Sequence, residues 1–395
     1  MTSLRTSRAV AAVVLLFCYN GLVIGVYAAA IPTQQARFSL APWQMAVLFI
    51  CIGLAAIASM QVTGRVVDRH GARRISLAMI PVLIVGILGV ALAPTLPLLF
   101  AAGMLLGVGN GGIDVGMNAI GVQVEQNRSK PIMSFFHGMW SVGNLLGAAL
   151  LVALGYALGR QPDLTVTTAA AIAAAAGVAA LFLAVRITPE TAVVSHRDET
   201  GAKTPIPRSA YLLGLMAIAF GLGEGTAMDW SGLHVTEVTG VDTTTGALGV
   251  TAVAACMVVI RLLGDFLVVR FGRRAVTRFG GACSALGYLV AATGGTLPVL
   301  LAGWALVGLG IGMIAPQVYA VAGHTAGGRG LAVVVTFGYA TFLVAPGLIG
   351  YLVGAVGIQN TMFVPAVLLS GLLLVARIMP GREPAGRPVA EAGHR

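Results

Sequence analysis

Gly64-Arg65-Val66-Val67-Asp68-Arg69-His70-Gly71-Ala72-Arg73-Arg74 packs four arginines, a carboxylate and a glycine between two long apolar runs. A shorter version, Arg270-Phe271-Gly272-Arg273-Arg274, separates two further apolar runs, and its glycine lies 201 residues after Gly71. The same offset carries Gly107-x-Gly109-x-Gly111 onto Gly308-x-Gly310-x-Gly312. An offset of 200 carries Asn20-Gly21 and Gly25 onto Phe220-Gly221 and Gly225. Three stretches that agree on nearly one shift make the chain a repeat of two similar halves.

The runs on either side of these loops are too apolar for an aqueous fold. Of the 395 residues, 57% are hydrophobic and 10% charged, and the mean hydropathy is +0.91. Lipid must serve as the solvent. A helical span needs roughly 20 apolar residues, so the length allows about twelve spans with short connections. They fall near 9–31, 44–64, 75–93, 98–121, 131–156, 166–186, 209–231, 244–264, 276–294, 298–321, 331–355 and 360–379. Six spans per half return the second half to the membrane in the orientation of the first, a parallel repeat. The expected division is a first half at 1–187, a linker at 188–208 carrying Pro189, Pro205 and Pro207, a second half at 209–380 and a tail at 381–395.

Arg5 and Arg8 followed by the run from Ala9 to Ile31 imitate a signal peptide, but the run is too long for a cleavable one and further spans follow. Cys18, Cys51, Cys256 and Cys283 all sit in apolar runs without a CxxC pair, so they read as small apolar residues and not as a disulfide or metal framework. The net charge of +10 would suggest nucleic acid in a soluble protein. Its distribution says otherwise. With the N-terminus inside, 22 of the 24 Lys and Arg fall on the cytoplasmic side, and only Arg37 and Arg160 face outward. The reading is a multi-pass membrane protein with both termini cytoplasmic, partnered by the lipid bilayer and not by nucleic acid.

The spacing Gly64-x3-Asp68-Arg69-x-Gly71-x-Arg73-Arg74 between spans two and three, the weaker copy after span eight and the central linker resemble the major facilitator superfamily. That resemblance implies an all-α membrane fold of twelve transmembrane helices in two six-helix pseudo-symmetric halves. It also implies a gating role on the cytoplasmic side for Asp68, Arg69 and Arg73, and for Arg261 and Asp265 in the second half. In the second copy Val269 stands where Asp68 would be and Asp265 takes the Gly64 position, four residues after Arg261, a spacing that permits an i,i+4 ion pair at the membrane surface. Asp114-Val115-Gly116-Met117-Asn118, the run Ser134 to Gly143, Glu224-Gly225 and Asp229-Trp230-Ser231 are similar to the bacterial branch that resembles the fucose permeases. Localisation in a bacterial inner membrane follows from that likeness.

Ionisable residues inside spans are costly, by roughly 2.5–3.5 kcal/mol on insertion scales, and are functional candidates by default. Here they are Asp114, His137, Glu224 and Asp229, and they are read as proton-coupling residues. Asn110, Asp114 and Asn118 recur every four residues on span four, while His137, Ser141 and Asn144 share one face of span five. Depth counted from the helix ends places Asp114 and His137 at one level in the inner half of the bilayer and Glu224 past the midplane. The family resemblance implies that spans one, four, seven and ten line a central cavity, so that Asp114 and Glu224 face one aqueous space. By the repeat, Asp114 maps onto Ala315 and Glu224 onto Ile24, so neither acid has a symmetry mate.

Asn20, Tyr27, Asn110, Asn118, Trp140, Asn144, Gln317 and Tyr319 supply uncharged hydrogen-bonding and aromatic groups suited to a polar, sugar-like small-molecule substrate. No Lys or Arg is expected clear of the span ends, which argues against organic phosphates. The function read is secondary active transport by alternating access, as proton-coupled symport of a monomer without cofactor or metal. The competing reading is a proton-driven efflux antiporter of drug-like or metabolic compounds. It would favour a more apolar cavity, and Gly143-Asn144 stands where the antiporters' Gly-Pro would be expected. An enzyme would need a nucleophile with its base or a metal cluster, and no HExxH or GxSxG accompanies Asp114 and His137.

Overall fold

The structure is a computed structural model that describes residues 3–126, 132–188 and 208–381, all of the regular elements there being helices. The linker 188–208 and the tail 381–395 lie almost wholly outside the described residues, as do the side chains of Asp68, Arg69 and Asp265.

Spans one to six are the helices Ser3–Phe38, Pro42–His70, Ala72–Leu92, Leu96–Gln126, Met133–Ala157 and Pro162–Ile187. Span seven is Arg208–Thr239; span eight, Leu248–Phe271, follows the short turn Thr243–Gly246, and span nine is Arg273–Thr293. Span twelve covers Ile358–Ile378 in short helical pieces. Eleven described helices are long and apolar enough to cross a membrane, and Val344–Val356 is a further, shorter apolar helix.

Spans ten and eleven form one unbroken helical stretch, Leu297–Val356. It cannot be straight. Nineteen residues of straight helix would put Tyr319 about 28 Å from Gly338, whereas a Cβ on Gly338 would meet the Tyr319 hydroxyl at 3.0 Å. The stretch therefore folds back on itself as an antiparallel pair.

The repeat persists at the level of packing. Gly107 lies against Ile52 and Gly308 against Val253; Gly111 lies against Ala56 and Gly312 against Met257; Gly86 lies against Leu106 and Gly287 against Val307. Each of these first-half contacts recurs 201 residues later with both partners shifted. Small residues thus let spans two and four, and three and four, approach closely, with the same arrangement in the second half. The two loops repeat as well: Gly71 at φ 83° and Gly272 at φ 81° each close the preceding helix, donating to Val67 O (2.9 Å) and Val268 O (2.8 Å). Only glycine takes this backbone conformation without strain.

Arg73, expected at a gate between the halves, donates to the carbonyls of Thr188 (3.1 Å) and Val185 (2.7 Å) at the end of span six. These bonds stay inside the first half. Its counterpart Arg274 donates to Met379 O at 2.9 Å at the end of span twelve. Each arginine thus latches the last helix of its own half through carbonyls left free at a helix C-terminus. Arg73→Ala and Arg274→Ala should destabilise the protein in detergent by similar small amounts, about 1.5–3 kcal/mol for bonds from a charged donor, read as similar drops in melting temperature. A large loss from one and none from the other would contradict the shared role.

Candidate solute and proton site

Between the halves lies a cavity of about 740 Å³, a size that holds a small solute. Asp114, His137, Glu224 and Asp229 all line it, as do Asn20, Tyr27, Asn110, Trp140 and Tyr319. Acids from opposite halves therefore face one space. The positions that mirror the charges line it too, and they are apolar: Ile24 for Glu224, Ala315 for Asp114 and Met60 for Arg261.

A polar chain runs across the first half. Trp140 Nε1 donates to Asn20 Oδ1 at 2.6 Å, and Asn20 Nδ2 donates to Asn110 Oδ1 at 2.9 Å, joining spans five, one and four. Below it, Asn118 Nδ2 donates to Asp114 Oδ1 at 3.1 Å and to the Asp114 carbonyl at 2.8 Å. The His137 ring stands edge-on to Phe17 at 5.2 Å, and no bond joins it to Asp114 among the described residues.

The strongest contact was not foreseen. Arg261 Nη2 lies 3.2 Å from Glu224 Oε1, and Arg261 Nη1 donates to Ser141 Oγ at 2.6 Å. The ion pair joins spans eight and seven of the second half, and the serine belongs to span five of the first. With side chains only 13% and 17% exposed, the pair is shielded from solvent. This corrects one expectation: Arg261 turns into the cavity and pairs there with Glu224, so that a cation stands among the cavity acids. Span eight was bounded at 264, but its helix runs on to Phe271, which moves Arg261 to mid-helix. In the same way span seven continues to Thr239, so that Glu224, the seventeenth of its 32 residues, stands at the middle and not beyond it.

Three of the expected substrate contacts turn elsewhere. Gln317 is outside the lining and accepts from Arg273 Nη1 at 2.6 Å. Asn118 is occupied with Asp114, and Asn144 is buried in the interface of spans one and five, against the backbone of Gly21 and Gly25.

One end of the cavity is closed by contacts between the halves. Thr33 Oγ1 and Thr243 Oγ1 are 3.2 Å apart, Tyr156 Oη and Thr245 Oγ1 3.3 Å, and Arg160 Nη1 and Asp242 Oδ2 3.6 Å. Gly350 packs on Pro42 and Ala46, and Gly232 on Pro32. Arg261 adds a further hydrogen bond between the halves, to Ser141.

The closed end has a pH dependence. Partial burial raises the Asp242 carboxyl, but bonds from the Thr245 hydroxyl and N–H together with the Arg160 charge outweigh it and hold the group below the ordinary carboxylate value. The ionised form is thus the one favoured on closure. The Arg160 contribution is present above the ordinary value of about 3.9 and is lost as pH falls through the lowered one. The wild-type protein should lose thermal stability in detergent as pH falls through that range, and Asp242→Asn should lack this part of the loss.

The family model described as Major Facilitator Superfamily matches residues 13–258 and 212–394. The chain belongs to the major facilitator superfamily. Among relatives of this superfamily member, the uncharacterized transporter y4wD of Sinorhizobium fredii is 34% identical over 369 residues, covering 92% of this chain and 96% of that one. An uncharacterized MFS-type transporter of Yersinia pestis is 30% identical over 367 residues, covering 92% and 94%. Membrane protein MosC of Rhizobium meliloti is 27% identical over 385 residues, covering 96% and 92%. The solved nucleoside transporter NupG superposes with a TM-score of 0.66 at 13% identity, covering 94% of this chain and 97% of that one. The E. coli fucose:proton symporter FucP does so with 0.63 at 15%, covering 93% and 97%. Both structures share the fold. The twelve-span, two-half architecture is that of the superfamily, and the chain is accordingly a transporter and not an enzyme. In this major facilitator protein the cavity is lined from both halves.

Proposed function

We propose that this transporter moves a small polar solute by alternating access in symport with protons, and that Glu224, Asp114 and His137 handle the proton. The observation that carries this reading is the Glu224–Arg261–Ser141 chain, which ties the acid of one half to the other half inside the solute cavity. A proton on Glu224 abolishes the ion pair and leaves a guanidinium without its counter-charge in a poorly solvated site. Removing one member of a buried pair costs about 3–5 kcal/mol, and a few kcal/mol is the size of bias that redistributes two conformations. Protonation therefore changes which arrangement of the halves is favoured. Asn20, Asn110, Trp140 and Tyr319 are polar and aromatic groups of the lining that orient the solute. Asp68, Arg69 and Asp265 belong to the gate at the signature loops. The excess of Lys and Arg at those loops supports insertion in the inner membrane with both termini cytoplasmic, as a monomer.

A second reading, proton-driven efflux of a more apolar compound, has in its favour the wall formed by Phe49, Ile52, Ile57, Met60 and Ile349. Proteoliposomes with an imposed pH gradient separate the two. Symport gives accumulation on the side toward which protons flow, antiport gives depletion there, and a solute flux indifferent to the gradient contradicts both.

A further inference from the structure

The cavity holds three carboxyl groups, Asp114, Glu224 and Asp229, against one guanidinium. Arg261 is engaged by Glu224, and Asp114 receives the Asn118 amide. Asp229 lines the cavity with no hydrogen-bond partner among the described residues. Two hydroxyls of the same lining are buried as well as unpartnered among the described residues. Thr226 lies one helical turn before Asp229, is only 2% exposed, lines the cavity, and its Oγ1 has no partner among the described residues. Tyr27, on span one across the cavity, also has a buried hydroxyl without a partner among the described residues.

Burying two hydroxyls with nothing to bond costs about 1–3 kcal/mol each, and the Asp229 carboxylate on the same lining has no counter-charge paired with it among the described residues. Such a cluster calls for a ligand that supplies donors and, beside an uncompensated carboxylate, positive charge. A neutral polyol supplies the donors only. A primary ammonium supplies both: it has three N–H donors and no acceptor, against three acceptors on two spans. The aromatic faces of Tyr319, Phe220 and Trp140 line the same cavity and suit the remainder of such a molecule.

Resting on the symport reading above, we propose that the solute bears a primary amine, and that Asp229, Thr226 and Tyr27 form the subsite for its ammonium group. Asp229 then acts as a substrate ligand and not as a proton carrier, and Thr226 is added to the site.

The test uses the purified full-length protein and a panel of primary amines paired with their N-acetyl counterparts, drawn from hexosamines, aminocyclitols and arylalkylamines. Thermal stabilisation reads binding, and uptake into proteoliposomes with and without a pH gradient reads coupling. Among stabilising pairs the amine is expected to bind roughly tenfold or more tighter than its N-acetyl partner, as the loss of charged hydrogen bonds implies. Asp229→Asn should erase this preference, while Thr226→Val and Tyr27→Phe, which keep the shape of the wall, should each weaken the amine severalfold. N-acetyl compounds binding as tightly as amines, or an amine preference that survives Asp229→Asn, would overturn the subsite. Loss of gradient dependence with the amine preference intact would instead overturn the symport reading and leave the subsite standing.

Discussion

In Glu224→Gln, gradient-driven accumulation of solute falls to the level of empty liposomes, while exchange of labelled for unlabelled solute continues. Glutamine keeps the length of the side chain and an oxygen that accepts from Arg261 Nη2, so the 3.2 Å contact can persist. It cannot lose or gain a proton. The variant is therefore fixed in the state that the protonated acid visits transiently, competent to reorient with solute but blind to pH. Arg261→Met is the complementary experiment, since methionine is what stands at the mirror position, Met60. It leaves Glu224 as a buried acid without its cation and should cost about 3–5 kcal/mol. The pair of substitutions together removes both charges and should recover much of the thermal stability without recovering accumulation. A Glu224→Gln protein that still concentrates solute along the gradient would remove this acid from the coupling step.

Gly21→Val should abolish the folded protein, and Gly21→Ala should lower its melting temperature severely. A Cβ on Gly21 would fall on the Trp140 carbonyl, one on Gly25 on the Asn144 carbonyl, one on Gly143 on Cys18 and one on Gly147 on Leu22. All four neighbours are backbone. No rotamer change can make room, so spans one and five must separate. Overpacking where a side chain can yield costs about 1–3 kcal/mol, and here the cost is at the top of that range or above it. Separation would also pull Trp140 away from Asn20 and break the bond at 2.6 Å that begins the polar chain across the cavity wall. Gly225→Ala is the control, because it has open space around it and should cost little. Equal melting temperatures for the two alanine variants would refute the close approach of spans one and five.

Much of this architecture can be read from the chain, for a physical reason. Close helix contact in lipid depends on small residues, so the repeat at 201 residues is written in glycines, and the same glycines make the contacts. The four ionisable cavity residues were likewise legible because a carboxyl or imidazole has no cheap place in hydrocarbon other than a polar interior. Arg261 was misplaced because the apolar run ends before its helix does. Asp265 and Arg270 make that end look like the membrane boundary, yet the helix continues through them to Phe271. Asn118, Asn144 and Gln317 were misjudged for another reason. Periodicity says which residues share a face, but not which neighbour that face meets: Ser141 and Asn144 share a stripe with His137, yet Ser141 meets Arg261 and Asn144 meets span one. Thr226 gave no signal, since an unsatisfied hydroxyl becomes evident only once the surrounding groups are placed.

Glu224 and Arg261 belong to the same half, which has an electrical consequence. A unit charge crossing the bilayer exchanges about 2.3 kcal/mol with every 100 mV of membrane potential. While the two are paired they rock as one neutral body, and this part of the empty carrier can return without working against the voltage. On the symport reading, a proton leaves this pair with a net positive charge, so the pair feels the membrane potential on the loaded stroke and not on the unloaded one.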